Sequence, residues 1–259
     1  MPINFNDPGN QRIYAGRNAD DSWTGFMRET VGVTNRRVAD IGCGGGIYSR
    51  ALLGMGAASV VGVDYSEAML QGAAENCAGM DGISLVYGNA YCTDLCEGEF
   101  DMVLERALIH HLGDLDACFK EAGRVLKPGG ELIVQDRTPE DCLLPGDSRH
   151  IRGYFFEKYP RLIQAETARR HSSSKVRQAL ERNGFHLKKT VSLWETRRIY
   201  DDIGGLSEDL RARTGRSLLF ELNDEELSEL IAYIIRKLPK STAPIVEQDR
   251  WTVWVAVKK

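Results

Sequence analysis

The chain has 259 residues, 42% of them apolar and 27% charged, and carries a formal net charge of −4. That length suits one large domain, or a core domain with an inserted lid, and the balance is that of a globular chain. No window approaches about 18 consecutive apolar residues, the first residues lack a basic-then-apolar leader, and long nucleic acids want a net basic face, so a cytoplasmic protein with no membrane span and no long nucleic-acid partner is expected.

Residues 1–36 mix polar, aromatic and glycine residues, with a helix predicted around Asp21–Val31. A regular alternation follows. Apolar strands are predicted at Val38–Ile41, Ser59–Asp64, Ile83–Tyr87, Asp101–Leu104 and Glu131–Gln135, with helices at Tyr48–Gly54, Ser66–Cys77 and Leu115–Leu126. Ser66 and Asp114 are suitable N-caps. This order predicts an α/β fold, a mostly parallel, doubly wound sheet covered on both faces. From about Thr138 the pattern changes. Residues 139–171 carry several arginines and aromatics without a strand period. Ser174–Asn183 reads as a helix stopped by Gly184. His186–Glu195 and Trp251–Val257 read as further strands, and Leu206–Leu238 as two helices. The cysteines at 43, 77, 92, 96, 118 and 142 form no zinc-site spacing, so free thiols and no metal are expected.

The most informative stretch is Asp40-Ile41-Gly42-Cys43-Gly44-Gly45-Gly46. A strand ends in a carboxylate and runs into a glycine-rich turn before a helix, which suits close approach of a nucleoside-containing ligand. The spacing is G-x-G-x-G, whereas a dinucleotide fingerprint needs Gly or Ala where Ile47 stands. Asp40 beside a doubly negative pyrophosphate would be repulsive. S-adenosylmethionine brings an ammonium that Asp40 suits, and a carboxylate that the amides of Gly42–Gly46 suit. Asp64, at the end of the second strand, can accept ribose hydroxyls and fits either nucleotide.

These motifs resemble a class I S-adenosylmethionine-dependent methyltransferase of the ubiquinone/menaquinone-biosynthesis-like, small-molecule type. Asp40-x-Gly42-x-Gly44-x-Gly46 matches the first motif, and Gly62-Val63-Asp64-Tyr65-Ser66 with Met69-Leu70 the second. Gly88-Asn89-Ala90 stands where the family has Gly-Asp-Ala. Phe100-Asp101-Met102-Val103, Ile109-His110-His111-Leu112 and Leu126-Lys127-Pro128-Gly129-Gly130 resemble the fourth-strand motif, its His-containing loop and the turn into the fifth strand. The resemblance implies a seven-stranded Rossmann-like methyltransferase sheet with the last strand antiparallel. It also implies that Tyr65 packs near the adenosine, that Asn89 and Ala90 flank the adenine, and that Glu105 and Arg106 face the methionine part. Asn89 departs from the family's Asp, so its amide oxygen would have to serve in place of a carboxylate.

Methyl transfer needs a nucleophile in line with the S–CH3 bond and, for a hydroxyl or protonated amine, a general base. His111 is the first candidate and His110 the second, the alternative being that both only cap or pack. The whole chain is read as a single methyltransferase domain, with residues 1–36 as an N-terminal lid segment and 139–171 and 201–245 as substrate-cap insertions. Tyr14, Arg149, Arg152 and Tyr154 are candidates for holding a small-molecule acceptor with an aromatic or apolar body and an anionic group, against the alternative of solvated arginines and an aromatic lid core. Two other readings stand beside this one: a nicotinamide-dependent oxidoreductase, disfavoured by Ile47 and Asp40, and a non-catalytic S-adenosylmethionine-binding partner protein. Oligomeric state is not encoded in any of these features.

Overall fold

The computed structural model describes residues 18–240 and 244–259. Seven strands form one sheet: β1 (Arg37–Ile41), β2 (Ser59–Asp64), β3 (Ile83–Tyr87), β4 (Phe100–Arg106), β5 (Leu126–Asp136), β6 (Phe185–Tyr200) and β7 (Ile245–Lys258), in the order β3-β2-β1-β4-β5-β7-β6. The first five pair in parallel, and β7 runs antiparallel to β5 with Leu132 opposite Ala256. The helices are α1 (Asp21–Phe26, continued by a π turn to Val31), α2 (Ile47–Gly54), α3 (Glu67–Asn76), α4 (Leu115–Val125), α5 (Pro139–Cys142), α6 (Gly153–Lys158), α7 (Leu162–Thr167), α8 (Ser173–Arg182), α9 (Ile203–Arg211) and α10 (Asp224–Lys237). The sequence-predicted caps are in place: the side chain of Ser66 accepts from Met69 N, and that of Asp114 from Ala117 N. Each satisfies a backbone donor that a helix start would otherwise leave unmade.

The chain divides into two compact units. The first holds the described residues up to Asp136 together with Ser172–Leu193 and Thr252–Lys259. Its strands alternate between two buried faces, as a period of two requires. Ala39, Ile41, Val103, Leu132, Val134, Trp254 and Ala256 pack with α4 and α8. Val38, Met102, Leu104, Ile133, Val253 and Val255 pack with Trp23, Met27 and Leu52. Burial on both faces explains why these strands read as near-continuous apolar runs.

The second unit holds Arg137–His171 and Trp194–Trp251. Its core is aliphatic and aromatic, with Tyr154, Phe155 and Phe156 against Leu206, Leu210, Leu230, Ile231 and Ile234. Its arginines are largely not solvated. Glu166 is fully buried and meets Arg170 at 3.0 Å and also Arg169, while Arg152 reaches Asp249 at 3.2 Å. Burial alone would raise the Glu166 carboxyl, but Arg152, Arg170 and Arg137 hold it well below the usual carboxylate range. A second cluster joins Arg216 to Glu247 (2.6 Å) and to Asp209, with Tyr200 donating to Glu247 at 2.7 Å.

These clusters account for the main departure from the sequence-predicted elements. β6 and β7 extend well beyond His186–Glu195 and Trp251–Val257. Their extra residues include Arg197, Arg198, Glu247 and Asp249, which pair with partners inside the unit. Charged inward positions at Arg197, Glu247 and Asp249 hide the apolar alternation by which a strand is recognised. β5 begins at Leu126 rather than Glu131, because Lys127-Pro128-Gly129-Gly130 is an irregularity in the β4–β5 ladder rather than a separate turn.

Among the described residues no helix is long and apolar enough to cross a membrane. Inside the first unit, Glu105 on β4 is fully buried and accepts from the Cys118 thiol at 3.3 Å, while its second oxygen has no hydrogen-bond partner. Burial pushes its pKa from 4.5 up to about 7, against the smaller opposing effect of the Cys118 bond. A folded pKa above the unfolded one means that the folded state holds the extra proton. The associated stability is complete below the unfolded value and is lost as pH rises through about 7, a difference on the order of 3 kcal/mol. Urea midpoints measured from about pH 5 to 8 should therefore fall in the parent protein and fall less in Glu105→Gln, where the raised Asp40 still contributes up to about pH 6; an equally steep fall above about pH 6 in the variant would show that another group carries the titration.

Candidate cofactor and active site

The turn after β1 is tied to the end of β2. Gly42 N and Cys43 N donate to Val63 O at 2.8 and 3.0 Å, and Gly46 N donates to Cys43 O at 3.0 Å. Gly44 N donates to Asp64 Oδ2 at 2.8 Å, while Ser66 N donates to Asp64 Oδ1 at 2.9 Å. Four of the five turn amides are thus engaged inside the protein, and Asp64 organises two turns at once. Gly42 has φ +76°, and a Cβ there would stand 2.9 Å from Leu108 Cδ1. Gly44 has φ +52°, and a Cβ there would meet nothing within 4 Å. At Gly44 the backbone itself faces open space, which is what close approach of a ligand needs.

Asp40 is buried beneath this turn and accepts from Ser49 Oγ at 2.6 Å. Burial raises its pKa to about 6; the Ser49 bond opposes that rise, the charge of Asp64 adds to it and Arg106 opposes it. Burial likewise raises Asp64, despite the backbone donors it accepts from. Two neighbouring acids that are both costly to ionise favour a cation and disfavour a phosphate.

The other candidates follow along the strand ends. Tyr65, directly after β2, is 51% exposed, whereas Met69 and Ala90 are buried. Asn89 turns its side-chain oxygen back to its own loop, accepting from Tyr91 N (2.8 Å) and Cys92 N (3.0 Å). At the end of β4 the alternation splits a pair that the resemblance treats together. Arg106 lies over the Tyr48 ring at 3.9 Å, and Tyr48 meets Trp23 edge-on. Glu105 belongs to the opposite face, against Cys118 of α4.

Ala107 then adopts φ +52°, a left-handed conformation that a residue with a Cβ adopts at a cost, and its N–H donates to Gln135 O at 2.8 Å. This turn leads into the 3-10 segment Ile109–His111. His110 donates from its backbone N to Asp136 at 3.2 Å, and its ring Nδ1 lies 2.8 Å from the same carboxylate. A carboxylate only accepts, so Nδ1 carries hydrogen and Nε2 becomes the basic nitrogen. His111 is exposed, with its ring 3.9 Å from that of His110.

Residues 39–134 match the family described as a methyltransferase domain. Over 173 residues the chain is 30% identical to the ubiquinone biosynthesis O-methyltransferase of Rhizobium etli, covering 64% of this chain and 69% of that one. The chain belongs to the class I S-adenosylmethionine-dependent methyltransferases. With the protein of the same description from Hahella chejuensis it shares 35% identity over 124 residues, 46% of this chain, and it spans 51% of that relative's length. The solved structure of geranyl diphosphate C-methyltransferase from Streptomyces coelicolor, in complex with Mg2+, geranyl diphosphate and S-adenosyl-L-homocysteine, has the same fold. Its TM-score is 0.56 at 17% identity, over 92% of this chain and 78% of that one.

The methyltransferase's cofactor is S-adenosylmethionine, and the first unit suits it: open backbone at Gly44, a buried acid at Asp40, and Asp64 at the end of β2. Sequence reasoning missed Ser49 and Tyr48, which hold Asp40 and Arg106, and gave Asp136 no role beside His110. The signal for Asp136 was available, since it ends β5 as Asp64 ends β2. Of the acceptor candidates, Arg152 is buried in ion pairs and Tyr154 lies in the core of the second unit. Arg149 lies over the Trp194 ring at 5.6 Å. Tyr14 falls outside the described residues.

With Asp40 as the candidate partner of the cofactor's ammonium, binding should strengthen as pH rises through about 6, because the ligand prefers the ionised acid. Calorimetric titration of S-adenosylhomocysteine should show affinity falling by up to about tenfold per pH unit below that point. Asp40→Asn should bind more weakly and lose this dependence. A parent protein with pH-independent affinity would remove Asp40 from that role.

Proposed function

We propose that this methyltransferase modifies a small molecule at an acidic hydroxyl, with His110 as general base and Asp136 as its positioning residue. The His110–Asp136 geometry carries the reading. Two contacts from one histidine to one carboxylate fix both the ring's tautomer and its place in the loop. Asp136 ends β5, and the loop that bears His110 leaves β4, so the two meet across neighbouring parallel strands. The relatives described as O-methyltransferases support a hydroxyl acceptor.

When bound, S-adenosylmethionine supplies a methyl group already activated by its sulfonium. The chain's own task is then to orient the acceptor, exclude water and accept one proton. Orientation can contribute up to roughly 7–11 kcal/mol, and a positioned base about 10²–10⁴-fold. Nε2 of His110 takes the proton, and the Asp136 carboxylate stabilises the imidazolium that forms. His111, beside it and exposed, is assigned to packing. The second unit, which lies outside the family-matched residues, is assigned to acceptor choice.

The test is release of S-adenosylhomocysteine across a panel of phenolic and other hydroxylated metabolites. His110→Ala should lower kcat about 10²-fold or more near pH 7 while leaving the affinity for the methyl donor within a few-fold. Asp136→Asn should lower kcat and shift the pH profile of what remains. Full turnover in His110→Ala across pH would end the base assignment, and no turnover with any acceptor despite tight cofactor binding would favour a non-catalytic binding protein.

A further inference from the structure

Asn89 occupies the position next to β3 where the family resemblance places an Asp, and its hydrogen bonds in this fold are specific. Its backbone N–H donates to Cys92 O at 3.2 Å and its carbonyl accepts from Cys92 N at 3.1 Å. Its side-chain Oδ1 accepts from Tyr91 N at 2.8 Å and Cys92 N at 3.0 Å. An amide nitrogen cannot face two N–H donors, so the loop itself determines which end of the carboxamide is oxygen. Both lone pairs of that oxygen are directed to the loop. What the exposed side chain has left to offer a ligand is its NH2 group, a donor only.

The loop around Asn89 carries exposed aromatic side chains. Ligands of such sheets lie beyond the carboxyl ends of the strands. Asp64 and Tyr87 are register partners at the ends of β2 and β3. Around them Tyr65 and Tyr87 are 51% and 62% exposed, and Tyr91, whose hydroxyl accepts from Asp114 N at 3.4 Å, is 41% exposed. Aromatic faces left open in this way suit the face of a purine.

We infer that Asn89 meets the purine of the methyl donor as a hydrogen-bond donor, and that the site therefore accepts a 6-oxo purine about as well as adenine. This rests on the methyl-donor reading above. Adenine offers a ring nitrogen as acceptor and a 6-amino group as donor; an Asn NH2 can donate to the first and cannot accept from the second. A 6-oxo purine offers its oxygen to the same NH2. A carboxylate at this position would do the reverse, accepting from the amino group and repelling the oxo group.

Calorimetric titration with S-adenosylhomocysteine and its 6-oxo counterpart, S-inosylhomocysteine, tests this directly. The parent protein should bind the two with Kd values within about threefold, since one exchanged hydrogen bond contributes tenfold or less. Asn89→Asp keeps an oxygen for Tyr91 N and Cys92 N and exposes a second. It should favour S-adenosylhomocysteine by about tenfold or more over the 6-oxo compound. A parent protein that binds S-adenosylhomocysteine and rejects the 6-oxo compound by more than tenfold would overturn the inference, as would an Asn89→Asp variant with the parent's ratio. If the variant does not fold, the parent's ratio alone decides. Binding of neither compound would instead overturn the methyl-donor reading on which the inference rests.

Discussion

Asp64 holds the first unit's functional end together. One of its carboxylate oxygens accepts from Gly44 N in the turn after β1, and the other accepts from Ser66 N at the start of α3. The neighbouring carbonyl of Val63 accepts from Gly42 and Cys43. The glycine turn can adopt its left-handed angles because these bonds, together with the parallel pairing of β1 and β2, fix both of its flanks. The turn then has little hydrogen-bonding capacity left over. Its contribution to a ligand is close approach at Gly44 rather than a row of amides, and the ligand's charged groups depend on side chains instead.

Of those side chains, Asp40 is an acid lifted by burial to about 6. Burial lifts Glu105 too, to about 7, on the face of β4 turned away from Arg106. In the second unit the same residue types move the other way: Glu166 and Asp249, also buried, are held low by Arg152, Arg137 and other nearby cations. Arginine makes the difference. Where guanidinium groups converge on a buried carboxylate, the charge is compensated and the cluster is structural, costly to break by about 3–5 kcal/mol per partner removed. Where they do not, the acid gains from a cationic ligand. Arg152 falls in the first class, and its pairing with Asp249 uses the group that an anionic acceptor would need.

Near β5 a local distortion sets the place of His110. Ala107 takes a left-handed backbone angle directly after β4, anchored by its bond to Gln135 O. The turn brings Leu108 against Gly42 and His110 onto Asp136. A Cβ at residue 42 would force the Leu108 side chain to shift, so the glycine spacing and the histidine loop touch, a link that neither motif displays alone.

The sheet-forming half of the chain was legible from the sequence. Ser59–Asp64 and Ile83–Tyr87 form as predicted, with Asp64 at the end of the second strand, and Ser66 and Asp114 cap their helices. Local periodicity and capping are short-range physics, and a residue string contains them in full. The string did not contain which acid would be neutralised by which base. The lengths of β6 and β7, the burial of Arg152, the pairing of His110 with Asp136 and the inward turn of the Asn89 oxygen were decided by the tertiary structure. All but the last join residues from separate elements, and the Asn89 oxygen points inward only because its loop closes. Each depends on distances and desolvation that exist only once the chain has folded.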